Sequence, residues 1–281
     1  MQRFWIGCTT LAISASLVTV APAQAESSSG CDAAVGSPDI VPELKPGLLK
    51  GYLNPSNLPD SLQLLDSPPS PGSAAESLDR AKAQATFSQR GTHRWRLAAV
   101  DADMHFPAAA SVFSCALGVP ISETHTPRLF MLLRRSLTDA GLSTYKAKNH
   151  HQRSRPFMTN GQPICTPDDI EGLRKDGSYP SGHTAVGWAW ALILSEIAPE
   201  RRDQILARGL AYGQSRSICN VHWFSDVQAG RTMGAATVAV LHSDPVFRAD
   251  LQAARREVET ARKRQLIPNG DCYLENDALK R

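Results

Sequence analysis

The sequence predicts an all-α fold, a single-domain helical bundle. Three observations carry that prediction. Apolar residues recur at helical spacing from about residue 73 onward, no segment alternates convincingly in the manner of a strand, and two cap-plus-proline starts, Thr126-Pro127 and Asp244-Pro245, punctuate the helical pattern. A chain of 281 residues with a hydrophobic fraction of 42% can bury a sizeable core, and no internal repeat divides it.

Residues 1–25 carry one basic residue, Arg3, an apolar run over about 6–20, and small residues at Ala23 and Ala25 just before Glu26. This is the pattern of a secretory signal peptide cleaved after Ala25, and the run is shorter than the roughly 20 apolar residues of a membrane span. The mature chain is therefore expected to be exported and soluble, with no membrane partner. Residues 26–72 are rich in Pro, Ser and Gly and read as an extended arm rather than a core element. The helical domain then spans 73–265. Residues 73–89 are Ala-rich, and 95–104 continue in the same manner as far as Pro107. Leu129, Phe130, Leu133 and Leu137 follow Thr126-Pro127, with Gly141 as the stop, and residues 185–197 are apolar nearly all round, as a central buried helix would be. Pro199 opens a segment with Ile205, Leu206, Leu210 and Tyr212. A further helix is expected from Asn220 or Val221 through Met233, Val238 and Leu241, and Phe247, Leu251, Ala254 and Val258 mark an amphipathic last helix. Residues 266–281 are left as a tail.

The formal net charge is +3, and loss of Arg3 with the leader brings it to +2. Such a balance argues against a nucleic-acid partner, so any anion chemistry must be local. Cleavage leaves five cysteines, Cys31, Cys115, Cys165, Cys219 and Cys272, an odd number whose pairing sequence leaves open. No CxxC pair suggests a zinc-cysteine site.

Three segments hold the chemistry. In Gly177-Ser178-Tyr179-Pro180-Ser181-Gly182-His183-Thr184, the Ser181 and Gly182 amides precede an apolar helix, where free N–H groups attract an anion, and His183 sits at the rim as a proton donor. Lys148 and Arg155-Pro156 lie in a polar stretch, 146–155, that also holds His150, His151 and Arg153 and whose default reading is an exposed basic loop; Arg155 before proline should be extended and aim its fork from a fixed backbone, whereas His150 and His151 are assigned to the solvated loop. Arg216 lies six residues before His222, and on a helix His222 and Asp226 would share one face, giving an imidazole held by an acid. Three cations, two histidines and a Gly-containing turn suit a phosphoryl group.

Together, Lys148-x6-Arg155-Pro156, Pro180-Ser181-Gly182-His183 and Ser215-Arg216-x5-His222-x3-Asp226 resemble the three-part signature of the PAP2 phosphatase and vanadium haloperoxidase superfamily, and the fuller run from Gly177 to Thr184 resembles that of bacterial class A non-specific acid phosphatases. The resemblance covers most of the mature chain. It implies a periplasmic, all-helical acid phosphatase acting on small phosphomonoesters, with possible phosphotransfer, inhibition by vanadate, no metal or other cofactor, and a homo-oligomeric assembly. Lys148, Arg155 and Arg216, with the Ser181 hydroxyl and Gly182 amide, would hold the phosphoryl oxygens. His222 would attack phosphorus, Asp226 would fix its tautomer, and His183 would protonate the leaving group and later activate water.

Other readings remain: an apyrase-like nucleotide phosphohydrolase, a vanadium-dependent haloperoxidase, a non-catalytic phosphate-binding protein, or a metallohydrolase using His183, His222 and Asp226 as ligands. A binding protein would need the cations but neither histidine.

Overall fold

The structure is a computed structural model and describes residues 41–280. The expected signal peptide and Cys31 lie outside the described residues. The chain begins with a short antiparallel hairpin, β1 (Glu43–Lys45) and β2 (Leu48–Leu49), and every later element is helical. These are α1 (Ser61–Leu64), α2 (Ala74–Ala85), α3 (His93–Val100), α4 (Ala108–Ser111), α5 (Ser114–Leu117), α6 (Pro127–Leu142), α7 (Tyr145–His151), α8 (Pro156–Asn160) and α9 (Ile170–Arg174). Then come α10 (Gly182–Ile197), α11 (Arg202–Ile218), α12 (Phe224–Leu241), α13 (Pro245–Lys263) and α14 (Cys272–Ala278). No helix among the described residues is long and apolar enough to cross a membrane.

The apolar α10 lies at the centre, packed against α6, α11 and α12, while α13 packs chiefly on α6 and also touches α10. Trp190 of α10 is fully buried and its indole N–H donates to the Leu133 carbonyl at 3.0 Å. Small residues set the closeness of these helices. A Cβ on Gly209 would stand 2.4 Å from that of Ala191, and one on Gly230 would stand 2.5 Å from the Ser181 carbonyl. Glycine at these two positions lets α11 and α12 seat the N-terminus of α10, where the site lies.

Both cap-plus-proline helices start where the sequence places them, but their caps differ. Asp244 accepts from the Phe247 amide at 2.8 Å, whereas Thr126 turns its hydroxyl to the Pro120 carbonyl. The helix expected from Asn220 or Val221 begins only at Phe224. Asn220 adopts a left-handed φ of 61° that ends α11, and the Arg216 carbonyl accepts both the Val221 and His222 amides. His222 therefore precedes α12 instead of sharing a helical face with Asp226.

The stretch before residue 73 is tied to the helices. The Asp139 carboxylate of α6 accepts the Tyr52 and Leu53 amides at 2.9 and 3.0 Å, and the Tyr52 hydroxyl donates to Asp250 of α13 at 2.8 Å. At the other end, α14 packs on α3, its Cys272 is disulfide-bonded to Cys115, and Glu275 accepts from Arg208 at 2.7 Å. A second disulfide joins Cys165 to Cys219. Tyr52→Phe leaves the buried Asp250 carboxylate short of a donor and should lower unfolding stability by about 1.5–3 kcal/mol, read from urea denaturation; an unchanged midpoint would show that this tether contributes nothing.

Candidate active site

Three loops meet at the N-terminus of α10. The turn after α7, where Gln152 is left-handed with φ 43°, delivers Arg153 to Arg155 into an extended run, and Arg155 has the expected extended backbone (φ −77°, ψ 155°) ahead of Pro156. The turn after α11 is fastened to this run. The Asn220 carbonyl accepts the Phe157 amide at 3.2 Å, its side chain exchanges hydrogen bonds with Asn160, and the Cys165–Cys219 disulfide closes the same junction. The third loop docks through Ser181, whose amide donates to the Asp226 carbonyl at 3.0 Å and whose hydroxyl caps α10 by accepting from Thr184.

A cavity of about 270 Å³ results, with Lys148, Arg155, Asp176, Gly182, His183 and His222 in its wall. Ser181, Arg216 and Asp226 are buried at 0, 1 and 0% exposure. The structure thus draws the sequence-predicted residues into one region, and leaves the exposed His150 and the partly buried His151 outside the cavity wall.

The two histidines are fixed in defined tautomers. His183 points Nε2 at the Ala102 carbonyl, 3.0 Å away, so that nitrogen carries the proton and Nδ1 is left to accept or deliver another. Ala102 is itself held by its neighbour Asp101, which binds Arg208 and Ser215 of α11. His222 presents Nε2 to the Arg155 Nη1 donor at 3.1 Å, which places the lone pair on Nε2 and the proton on Nδ1, 3.4 Å from Asp226 Oδ2. Both imidazoles are held well below the usual histidine range: His183 by burial and then Arg216, His222 by burial and then Arg155, Lys148 and Arg216.

The cations are crowded and unevenly satisfied. Burial pushes Lys148 down to about 8 and Arg216 to about 10. Lys148 donates to the Gly177 carbonyl at 2.6 Å and lies 3.3 Å from Asp176; Arg155 also reaches Asp176, at 3.2 Å. By contrast, Nε and Nη1 of the buried Arg216 make no hydrogen bond among the described residues. Buried charged donors without acceptors are costly, and an incoming oxyanion would satisfy them.

Sequence reasoning missed three features. Asp176, 39% exposed at its side chain, pairs with two site cations one residue ahead of the quoted motif. Lys45 and Leu48 of the N-terminal hairpin reach the cavity mouth, where Leu137, Leu142 and Tyr145 make an apolar rim. Arg153 is an ion-pair partner of Asp226, not a solvated cation. A carboxylate next to a Gly-rich anion turn was a usable signal for Asp176; nothing local marked the other two.

Residues 129–249 match the PAP2 superfamily. The chain is 43% identical over 220 residues to an acid phosphatase of Zymomonas mobilis subsp. mobilis, covering 78% of this chain and 83% of that protein. The chain belongs to the PAP2 superfamily. It is also 46% identical over 213 residues to a non-specific acid phosphatase of Providencia stuartii (75% and 86% of the two chains) and 40% identical over 208 residues to one of Salmonella typhimurium (74% and 83%). Among the described residues no three His, Cys, Asp or Glu side chains are grouped as a metal site.

In a PAP2 cavity the Asp176 carboxylate competes with any bound anion for Lys148 and Arg155. Asp176→Asn should tighten binding of inorganic phosphate about two- to fivefold in calorimetric titration at neutral pH, as expected for a partly exposed pair; unchanged or weaker binding would show that Asp176 does not compete.

Proposed function

We propose that this PAP2 acid phosphatase hydrolyses phosphate monoesters of broad structure through a phosphohistidine on His222. The observation that carries this reading is the buried Arg216, whose unpaired Nε and Nη1 lie within electrostatic reach of two neutral histidines. A site that only bound phosphate would need the cation but not the imidazoles.

In the proposed sequence Lys148, Arg155 and Arg216 neutralise the phosphoryl oxygens, with the Ser181 hydroxyl and Gly182 amide completing the cradle. Nε2 of His222 attacks phosphorus, the bond to the leaving oxygen breaks, and that oxygen takes a proton from Nδ1 of His183. Asp226 supports the charge that His222 gains. Water then attacks phosphorus, gives its proton to His183 and releases inorganic phosphate, while His222 returns to neutral. An alcohol in place of water would complete a phosphotransfer. The apolar rim contributed by Leu48, Leu137, Leu142 and Tyr145 receives leaving groups by contact area rather than by specific hydrogen bonds, which suits a broad substrate range.

His183 must be protonated when the ester binds. Burial and Arg216 oppose that protonation, and a phosphoryl dianion seated on Arg216 and Arg155 favours it. The rate therefore falls as pH rises and His183 loses its proton, which gives an acid optimum. The site cations supply the charge neutralisation that a metal ion could otherwise provide, so activity should survive chelators. Vanadate, which resembles the five-coordinate phosphoryl group, should inhibit. Export to the periplasm follows from residues 1–25 and predicts a secreted chain beginning at Glu26, and a homo-oligomer should appear in its native mass.

His222→Ala should abolish turnover of every ester, and Asp226→Asn should reduce kcat by up to roughly 10⁴-fold, the scale of losing the carboxylate behind a catalytic imidazole. His183→Ala should be selective in kcat/KM, which reports the phosphorylation step: large losses with an alkyl phosphate, whose leaving oxygen needs a proton, and small ones with p-nitrophenyl phosphate, whose leaving group does not, while kcat falls on both because water loses its base. Steady-state kinetics of the three variants on both esters test this, and near-wild-type rates for His222→Ala, or equal losses of kcat/KM on both esters for His183→Ala, would contradict it.

A further inference from the structure

The carboxylate behind His222 is itself held by a network that the motifs do not contain. Asp226 Oδ1 accepts from Arg153 Nη1 at 2.6 Å, and Oδ2 accepts the Trp223 amide at 2.8 Å while facing His222 Nδ1 at 3.4 Å. Arg153 is fixed in turn. Its Nη1 also donates to Ser225 Oγ at 2.8 Å, its Nη2 donates to Asp79 Oδ2 at 2.7 Å, and its guanidinium lies 5.5 Å from the centre of the Trp223 ring. Asp79 of α2 accepts both the amide and the hydroxyl of Ser225, at 2.8 and 2.6 Å. The side chains of Arg153, Asp79 and Asp226 are 12, 1 and 0% exposed. The Arg153 guanidinium is spent on Asp226, Asp79 and Ser225, whereas Arg216 keeps two donors unpaired among the described residues.

We infer that Arg153, anchored by Asp79, is a positioning residue that orients the Asp226 carboxylate on the Nδ1 side of His222 and thereby sets the nucleophile. The inference rests on the phosphohistidine reading above. One carboxylate oxygen is committed to Arg153, so the other is left for His222; without Arg153 the carboxylate keeps only the neutral donors Trp223 and Ser178 and loses its one charged anchor. The network spans α2, the turn before α8 and the start of α12, so the aim of His222 depends on helix α2, more than 140 residues away along the chain.

Charge supports the geometry. Burial raises Asp226 toward its neutral form, and Arg153 is the foremost opposing influence. The other groups facing this carboxylate are His222, Lys148 and Arg155 across the pocket, Tyr179, Ser178 and, behind Arg153, Asp79. Removing Arg153 raises Asp226 further. A carboxylate that must be ionised is then lost at higher pH, so the acid limb of the kcat profile moves upward.

Kinetics of the full mature chain on p-nitrophenyl phosphate across the acid range test this with Arg153→Gln, Arg153→Lys, Asp79→Asn and Asp226→Asn. Arg153→Gln should lower kcat about ten- to hundredfold, the range for outer-shell partners of a working imidazole, with KM little changed. Its acid limb should move up by about 1–3 pH units, the effect of an adjacent arginine on a carboxylate. Arg153→Lys should recover part of the limb, and Asp79→Asn should shift it less but in the same direction. Added to Asp226→Asn, Arg153→Gln should cost almost nothing further. A wild-type acid limb in folded Arg153→Gln, or a loss that simply multiplies with that of Asp226→Asn, would overturn the inference. Should Arg153→Gln fail to fold, the acid limbs of Arg153→Lys and Asp79→Asn decide, and wild-type limbs in both overturn it. Full activity in Asp226→Asn would also overturn the inference, whereas a near-wild-type rate in His222→Ala would instead overturn the phosphohistidine reading itself.

Discussion

Crowding like charges out of water is the constraint around which this molecule is built. Lys148, Arg155 and Arg216 are 3, 2 and 1% exposed, and Arg155 depresses the basicity of the other two. Such an arrangement costs free energy unless acceptors are supplied. The protein supplies them unevenly. The Gly177 carbonyl and the half-exposed Asp176 satisfy Lys148 and part of Arg155, while Arg216 keeps two donors unpaired. Burial, and after it the same charges, hold both histidines neutral, which leaves one nitrogen lone pair available on each. In the proposed mechanism, affinity for an oxyanion and readiness of a nucleophile would both come from this one electrostatic arrangement.

The rest of the fold restrains that arrangement. Glycines at the crossings of α10 with α11 and α12 bring the helices close enough to seat the anion-facing N-terminus between them. The Asn220 turn and the Cys165–Cys219 disulfide fasten the loop carrying His222 to the loop carrying Arg155. Behind them, Asp101 binds Arg208 and Ser215 and sets the Ala102 carbonyl against His183, and Arg94 donates to Ser215 at 2.9 Å. Buried carboxylates paired with arginine therefore stand behind each histidine, from α2 on one side and the end of α3 on the other.

The helical class was legible because periodicity and caps act locally, and the gathering of the motif residues at one candidate site was legible because a three-part pattern survives long gaps. The spacing of His222 and Asp226 pointed to contact, but for the wrong reason: the left-handed Asn220 delays α12, and the two meet across a helix N-terminus rather than along a helical face. Arg153 looked like one more charge in a basic run, since its partners Asp79 and Asp226 lie 74 and 73 residues away. Asp176 lay one residue beyond a motif chosen for its glycines and histidine. Pairing of Cys115 with Cys272 depends on how α14 folds back onto α3, and no spacing encodes that. What stayed hidden was in each case an interaction between segments distant in sequence.

The central claim is that Nε2 of His222 takes the phosphoryl group. The most direct measurement is to quench the wild-type enzyme in alkali within a turnover of a phosphomonoester and map the phosphorylated peptide by mass spectrometry. The account predicts a base-stable, acid-labile phosphoryl group on His222, enriched when hydrolysis is slowed. A phosphoryl group on any other residue, or one that still forms in His222→Ala, would contradict it.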